Sequence, residues 1–220
     1  MRVYHDWEFL ESGYANTVKP ISVGMLAENG AELYYEFHSA PWREIFQHEW
    51  LKENVVPHLS PGINAALVAG VGNGIVKSNL AIRSKVHDFL LNAYTNDPNN
   101  NLELWGWYSS YDHVCLAQLF GRMVDLPDFI PMWTNDLKQE AMRLGNPRIP
   151  DLRQPGEVAH NALNDARNEM RMGEWLKNYK ARTKVDSPHK QTMSFNSEDA
   201  KKLSKKTFEN RTDFPGWDAL

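Results

Sequence analysis

Apolar and polar residues alternate along RVYHDWEFL (2–10), and this segment reads as a β-strand. PISVGMLAE (20–28) is denser in apolar and β-branched residues and predicts a second strand. AELYYEFH (31–38) is the returning strand, joined to the second through Asn29-Gly30, a pair that favours a two-residue hairpin turn. The chain is thus expected to open as a three-stranded antiparallel meander. From Trp42 to about Leu59 the spacing becomes helical, with Trp42, Ile45, Phe46 and Trp50 on one face. Residues 60–74, SPGINAALVAGVGNG, read as a loop with a small-residue centre. Helical spacing returns over 76–94, with Leu80, Val86, Phe89, Leu90 and Tyr94 as expected core positions, before the loop NDPNNN (96–101).

LELWGWYS (102–109) predicts a buried strand, and a short apolar helix follows from about Tyr111 to Phe120. Pro127 to Trp133 is a proline-bounded linker with room for a short strand. Asn135–Leu144 reads as a helix closed by Gly145-Asn146-Pro147. After a proline-rich loop (147–156) comes a last long helix, about 161–179. Three antiparallel strands followed by alternating strands and helices give an α/β class, with a mixed central sheet flanked by helices and a parallel continuation. Residues 1–180 form the expected domain. Residues 181–220 are polar and read as an extension with one helix near Glu198–Phe208.

Composition narrows the class. Hydrophobic residues make up 42% and charged residues 24% of the 220 positions, an ordinary globular balance. No window approaches the roughly 18 apolar residues of a membrane span, and the charged start MRVYHDWEFLE is unlike a signal peptide. A single cysteine, Cys115, rules out an internal disulfide and a thiolate zinc site. A cytoplasmic protein is the expectation. The net charge of −4 lacks the basic footprint of a dedicated nucleic-acid binder, although residues 181–220 carry eight Lys/Arg against six Asp/Glu. GVGNG (70–74) completes no phosphate-binding loop, and His48-Glu49 no zinc motif, because position 52 is Lys.

Three acidic features carry chemistry. In Asp6-Trp7-Glu8, strand alternation puts both carboxylates on one face and Trp7 on the other. Two acids side by side on an apolar strand repel unless a cation is held between them, and a hard divalent ion suits an all-oxygen site. Asp112 follows the strand LELWGWY, where α/β sheets place their sites, though a helix-capping acid would occupy the same position. His160 and Asp165 lie five positions apart at the start of the last helix. That spacing puts His160 on the loop leading into the helix, so that it and Asp165 can serve different ends of one reaction.

Together, a D-x-E pair on the first strand, an acid after the next buried strand and H-x-x-x-x-D at the last helix resemble the histidine branch of the DEDD exonuclease superfamily, on the ribonuclease H-like fold. ELWGWYSSYDHVCLAQLFG (103–121), WTNDLKQ (133–139) and HNALNDARNE (160–169) look similar to small bacterial and phage 3′-5′ exoribonucleases. The resemblance covers about residues 1–178. It implies that Asp6, Glu8, Asp112 and Asp165 hold two divalent metal ions, Mg²⁺ or Mn²⁺, and that His160 is the general base. It also implies an RNA substrate in preference to DNA, and often a homodimer. Three features depart from the pattern: Trp7 stands where the family has a small residue, residues 40–95 form an insertion, and Trp107 and Tyr108 replace a His-Asn pair. Trp7, Phe9 and Tyr111 offer rings for stacking on terminal bases, with core packing as the competing reading for each. A 3′-5′ exodeoxyribonuclease, a ribonuclease H-type endonuclease and a catalytically silent RNA-binding module on the same fold are the alternatives.

Overall fold

A computed structural model describes residues 1–12, 17–60 and 75–183. The predicted loop centre at 61–74 and the polar extension from 184 lie outside the described residues. Among those described, six strands form one mixed sheet in the order β4-β3-β2-β1-β5-β6. Strand β1 (Arg2–Ser12) pairs antiparallel with β2 (Thr17–Ala27), and β2 antiparallel with β3 (Glu32–Phe37). On the other side β1 runs parallel to β5 (Glu103–Gly106), which runs parallel to β6 (Asn135–Asp136). The two-residue β4 (Val76–Lys77) extends β3 in parallel.

The meander forms as expected, but its turn differs. Gly30 has φ +88°, whereas Asn29 is not left-handed, so the two-residue turn that would need positive φ at both is excluded. Instead Gly30 N–H donates to Ala27 O and Ala27 N–H to Ala31 O, a longer turn closed by the glycine. A bulge between Glu8 and Phe9 shifts the parity of β1, so that Leu10 joins Val3 and Trp7 in the larger core.

The helix expected over 42–59 breaks into three pieces: α1 (Trp42–Gln47), α2 (Glu49–Asn54) and a 3₁₀ turn (Val56–His58). The break falls at His48, which turns extended (ψ 108°) and accepts Leu51 N–H on its ring Nδ1. The buried residues become Ile45, Leu51 and Val55, and Trp50 leaves the core face. Helix α3 (Asn79–Thr95) starts after β4 and buries Ile82, Val86, Leu90 and Ala93; the expected core position Leu80 lies in the exposed first turn. Helix α4 is Ser110–Phe120. The linker strand expected at 127–133 is instead β6, whose Asp136 caps α5 (Leu137–Arg143) by accepting Lys138 N–H. The last helix, α6, runs over Ala162–Thr183 and packs on β1 and β2.

The sheet separates two cores. Val3, Trp7, Leu104 and Leu116 belong to the larger one, with α3 and α4. Tyr4, on the opposite face of β1, packs with Leu137, Ala141 and Leu176 from α5 and α6. No helix of the described residues is long and apolar enough to cross a membrane.

Candidate active site

Strand alternation sends Asp6 and Glu8 to the face that α6 covers, and a glycine brings that helix close. Gly24 pairs with Asp6 across the β1–β2 ladder. A Cβ on Gly24 would come within 2.2 Å of Ala162 C and Leu163 N, so only glycine lets the start of α6 lie on the sheet there. The helix start carries His160 and Asp165 to the two strand acids. Ligand atoms of Glu8, His160 and Asp165 all lie within 4.8 Å of one another. A cleft of about 830 Å³ opens over them, lined also by Asp6, Trp107, Lys138, Arg148, Arg153 and Glu169.

His160 sits on the loop before α6, as its spacing predicts, in the left-handed region at φ +62°. Its backbone N–H donates to Asp165 Oδ2 at 2.7 Å, folding the loop over the first turn of the helix. Asp165 Oδ1 accepts Arg153 Nη2 at 2.5 Å. Asp112, in the first turn of α4, is 5% exposed and lies outside the cleft lining; its Oδ1 accepts Trp7 N–H at 3.0 Å.

These carboxylates suppress one another's ionisation. Burial, then the Asp165 and Asp112 charges, pushes Glu8 up to about 8. Asp112 is pushed up to about 7, by burial first, with Asp136 adding and hydrogen bonds from backbone N–H groups opposing. Asp6 is driven well above the usual carboxylate range by burial and by Asp112, Glu8, Glu169 and Asp165. Glu169 behaves likewise, through burial and then Asp112.

Glu169 is the acid that the sequence reading did not single out. It follows Asp165 by four positions, one turn along the same face of α6, and that spacing was the signal. It is 4% exposed; Oε1 accepts Trp107 N–H at 2.9 Å, whereas Oε2 is buried with no hydrogen-bond partner among the described residues. Also unforeseen were Arg153, Arg148 and Lys138, which bring cations to the cleft. The Lys138 ammonium lies 5.7 Å from the Trp107 ring centroid.

Of the three residues proposed for stacking, Trp7 alone borders the cleft. Trp7 is 2% exposed, its ring tilted against Phe37 in the core at 5.9 Å, so its indole packs rather than faces a base. Phe9 and Tyr111 tilt against each other at 5.7 Å and neither lines the cleft.

A hard-cation site needs oxygen donors, shared negative charge and few competing hydrogen bonds. Asp6, Glu8 and Glu169 Oε2, which has no hydrogen-bond partner among the described residues, meet that description. Asp165 adds charge although both its oxygens accept hydrogen bonds, and Asp112 lies beneath them. One imidazole stands beside the oxygens.

Residues 64–176 match a family described as the 3′-5′ exoribonuclease Rv2179c-like domain. Two curated relatives from Mycobacterium tuberculosis are similar over most of the chain. They are 3′-5′ exoribonuclease Rv2179c of strain ATCC 25618 / H37Rv and 3′-5′ exoribonuclease MT2234.1 of strain CDC 1551 / Oshkosh. Each is 35% identical over 171 residues, 78% of this chain and 90% of the relative.

Proposed function

Because the chain belongs to the Rv2179c-like 3′-5′ exoribonuclease domain family, we propose that it hydrolyses RNA from the 3′ end, one nucleotide at a time, at the cleft over Asp6, Glu8 and Asp165. The observation that carries this reading is the convergence of Glu8, His160 and Asp165, from opposite ends of the domain, with ligand atoms within 4.8 Å. A ribonuclease H-like assignment of the fold, and the histidine branch of the DEDD superfamily, accord with the strand order and with the placement of the D-x-E pair on β1.

Asp6, Glu8, Asp112 and Asp165 would hold two divalent cations, Mg²⁺ or Mn²⁺; when bound, these supply Lewis acidity and neutralise charge that develops on the phosphodiester. The chain's own groups do the rest. The His160 imidazole faces the acids and accepts the proton of the attacking water, the part a positioned imidazole plays in general-base catalysis. Lys138 and Arg148, in the cleft lining, offer cations to the phosphate backbone, while Arg153 is paired with Asp165 and Asp151. The Trp107 ring, in the same lining, presents an aromatic surface to a base. Glu169 fixes the backbone at Trp107 and so shapes that lining.

The test uses 5′-labelled single-stranded RNA, its DNA counterpart and a circular RNA, with Mg²⁺ or Mn²⁺ and with EDTA, beside His160→Ala and Asp165→Ala. The expected result is a metal-dependent ladder shortening from the 3′ end, absent on circles and in Asp165→Ala. His160→Ala should lower turnover by a factor on the order of 10²–10⁴. Faster loss of DNA would make it an exodeoxyribonuclease. Binding of RNA without degradation would make it a silent module.

A further inference from the structure

The inserted segment between β3 and α3 approaches the base from outside the cleft. Trp50, on α2, sets its indole against the His160 imidazole, with ring centroids 5.0 Å apart and planes at 78°. The same segment is tied down at two points beyond that contact. Asn161 Nδ2 donates to His58 O at 2.9 Å, which fastens the loop next to His160 onto the 3₁₀ turn. Ser60 donates from its N–H and its hydroxyl to the two oxygens of buried Glu36, at 2.6 and 2.7 Å, which fastens the segment to β3.

A histidine that acts as a base is usually aimed by a hydrogen bond from its second ring nitrogen to a carboxylate or carbonyl. Among the described residues, no such bond reaches the His160 ring; only its backbone N–H is held. The edge-on indole is the contact the ring does have. Trp50 is 48% exposed and does not line the cleft, and the contact that joins it to the site is the one with the His160 ring. The break at His48 is what releases Trp50 from the core face and turns it to this position.

We infer that Trp50 is a positioning residue, which fixes the imidazole of His160 by aromatic packing where other enzymes use a hydrogen bond. The inference rests on the proposed role of His160 as the base and supplies a function for residues 42–58.

A double-mutant cycle on the full chain tests it, using the labelled RNA and Mn²⁺ under single-turnover conditions. Trp50→Ala should lower the rate about 10- to 100-fold, as for a misaimed group, and Trp50→Phe should restore it to within about threefold. In the His160→Ala background, Trp50→Ala should cost nothing further. Affinity for an RNA ending in phosphorothioates should be unchanged. Trp50→Leu, which fills the space without a ring, should behave as Trp50→Ala and serves if the alanine variant melts early. The ¹H resonance of the His160 ring, shifted by the nearby indole, should return toward its random-coil position in Trp50→Leu.

An equal loss in both backgrounds, or weaker binding with the rate constant unchanged, would make Trp50 a stacking surface and overturn the inference. An unchanged rate in every Trp50 variant would overturn it as well. Full activity in His160→Ala would instead remove the base assignment, an outcome read independently of Trp50.

Discussion

One residue apart on β1, two buried polar groups solve opposite problems. On one face His5, fully buried, accepts the Trp7 indole N–H on Nδ1 at 3.0 Å. Its other nitrogen lies 2.9 Å from Thr134 Oγ1, and that hydroxyl lies 3.0 Å from His113 Nδ1. The indole can only donate, so the His5 proton resides on Nε2 and the ring is neutral. Burial, with His113 nearby, lowers its pKa to about 3. On the other face Asp6 and Glu8 have acids for neighbours, and Glu169 Oε2 has no hydrogen-bond partner among the described residues. Buried polarity that is neutral and hydrogen-bonded holds a fold; buried carboxylates that repel one another cost stability, which protons or bound cations relieve.

The largest expected effect breaks the acidic face. Glu8→Gln removes a charge at nearly constant volume, and turnover should fall by at least about 10³-fold, some 4 kcal/mol of transition-state stabilisation. The same variant should melt higher than the parent in EDTA and gain less on addition of Mg²⁺ or Mn²⁺, read by thermal scans. A variant that melts lower in EDTA would contradict the repulsion argument. Next comes Gly24→Ala, which lifts the start of α6 from the sheet. It should cost about 1–3 kcal/mol in denaturant unfolding and reduce turnover on the order of 10²-fold. The neutral face predicts the reverse balance. Thr134→Val leaves His5 Nε2 buried without a partner and should cost about 1–3 kcal/mol, with turnover within about threefold of the parent.

The smallest effect sharpens the comparison through pH. Glu8 titrates near 8 and Asp112 near 7 in the folded chain, against ordinary values of 4.5 and 3.8. The folded state therefore binds more protons than the unfolded one in that interval, and metal-free stability falls as pH rises from about 4 to about 8. For His5 the folded value near 3 lies below the ordinary 6.5, so its contribution is lost as pH falls below 6.5. Between about pH 4.5 and 6.5 the two raised acids outweigh the one lowered imidazole, so melting temperatures in EDTA should peak near pH 4. Glu8→Gln should flatten the alkaline limb and leave the acid one.

What could be read from the sequence follows the same division. Asp6, Glu8, Asp112, His160 and Asp165 stand at positions fixed by local rules, strand alternation and the two ends of helices, and those rules need only a few neighbouring residues. The meander was legible for the same reason, with hydrophobic runs separated by Asn29-Gly30. The break at His48 was not, because Trp42, Ile45, Phe46 and Trp50 satisfy a helical stripe and only tertiary packing of Leu51 and Val55 selects the alternative. Leu80 was misplaced because the short β4 delays the start of α3. Lys138 reaches the cleft from the start of α5 and Arg153 from the proline-rich loop before His160, and no local pattern announces either. Gly24 could have been noticed, since a glycine inside PISVGMLAE is costly unless another backbone must come close.

The conformation of His160 bears on how an inert form should be made. At φ +62° a non-glycine residue carries a backbone strain of about 1–2 kcal/mol, and alanine would keep the strain while deleting the ring. Glycine would delete the ring and relax the backbone together, so His160→Gly is the trap that should stay folded longest with RNA bound and uncut.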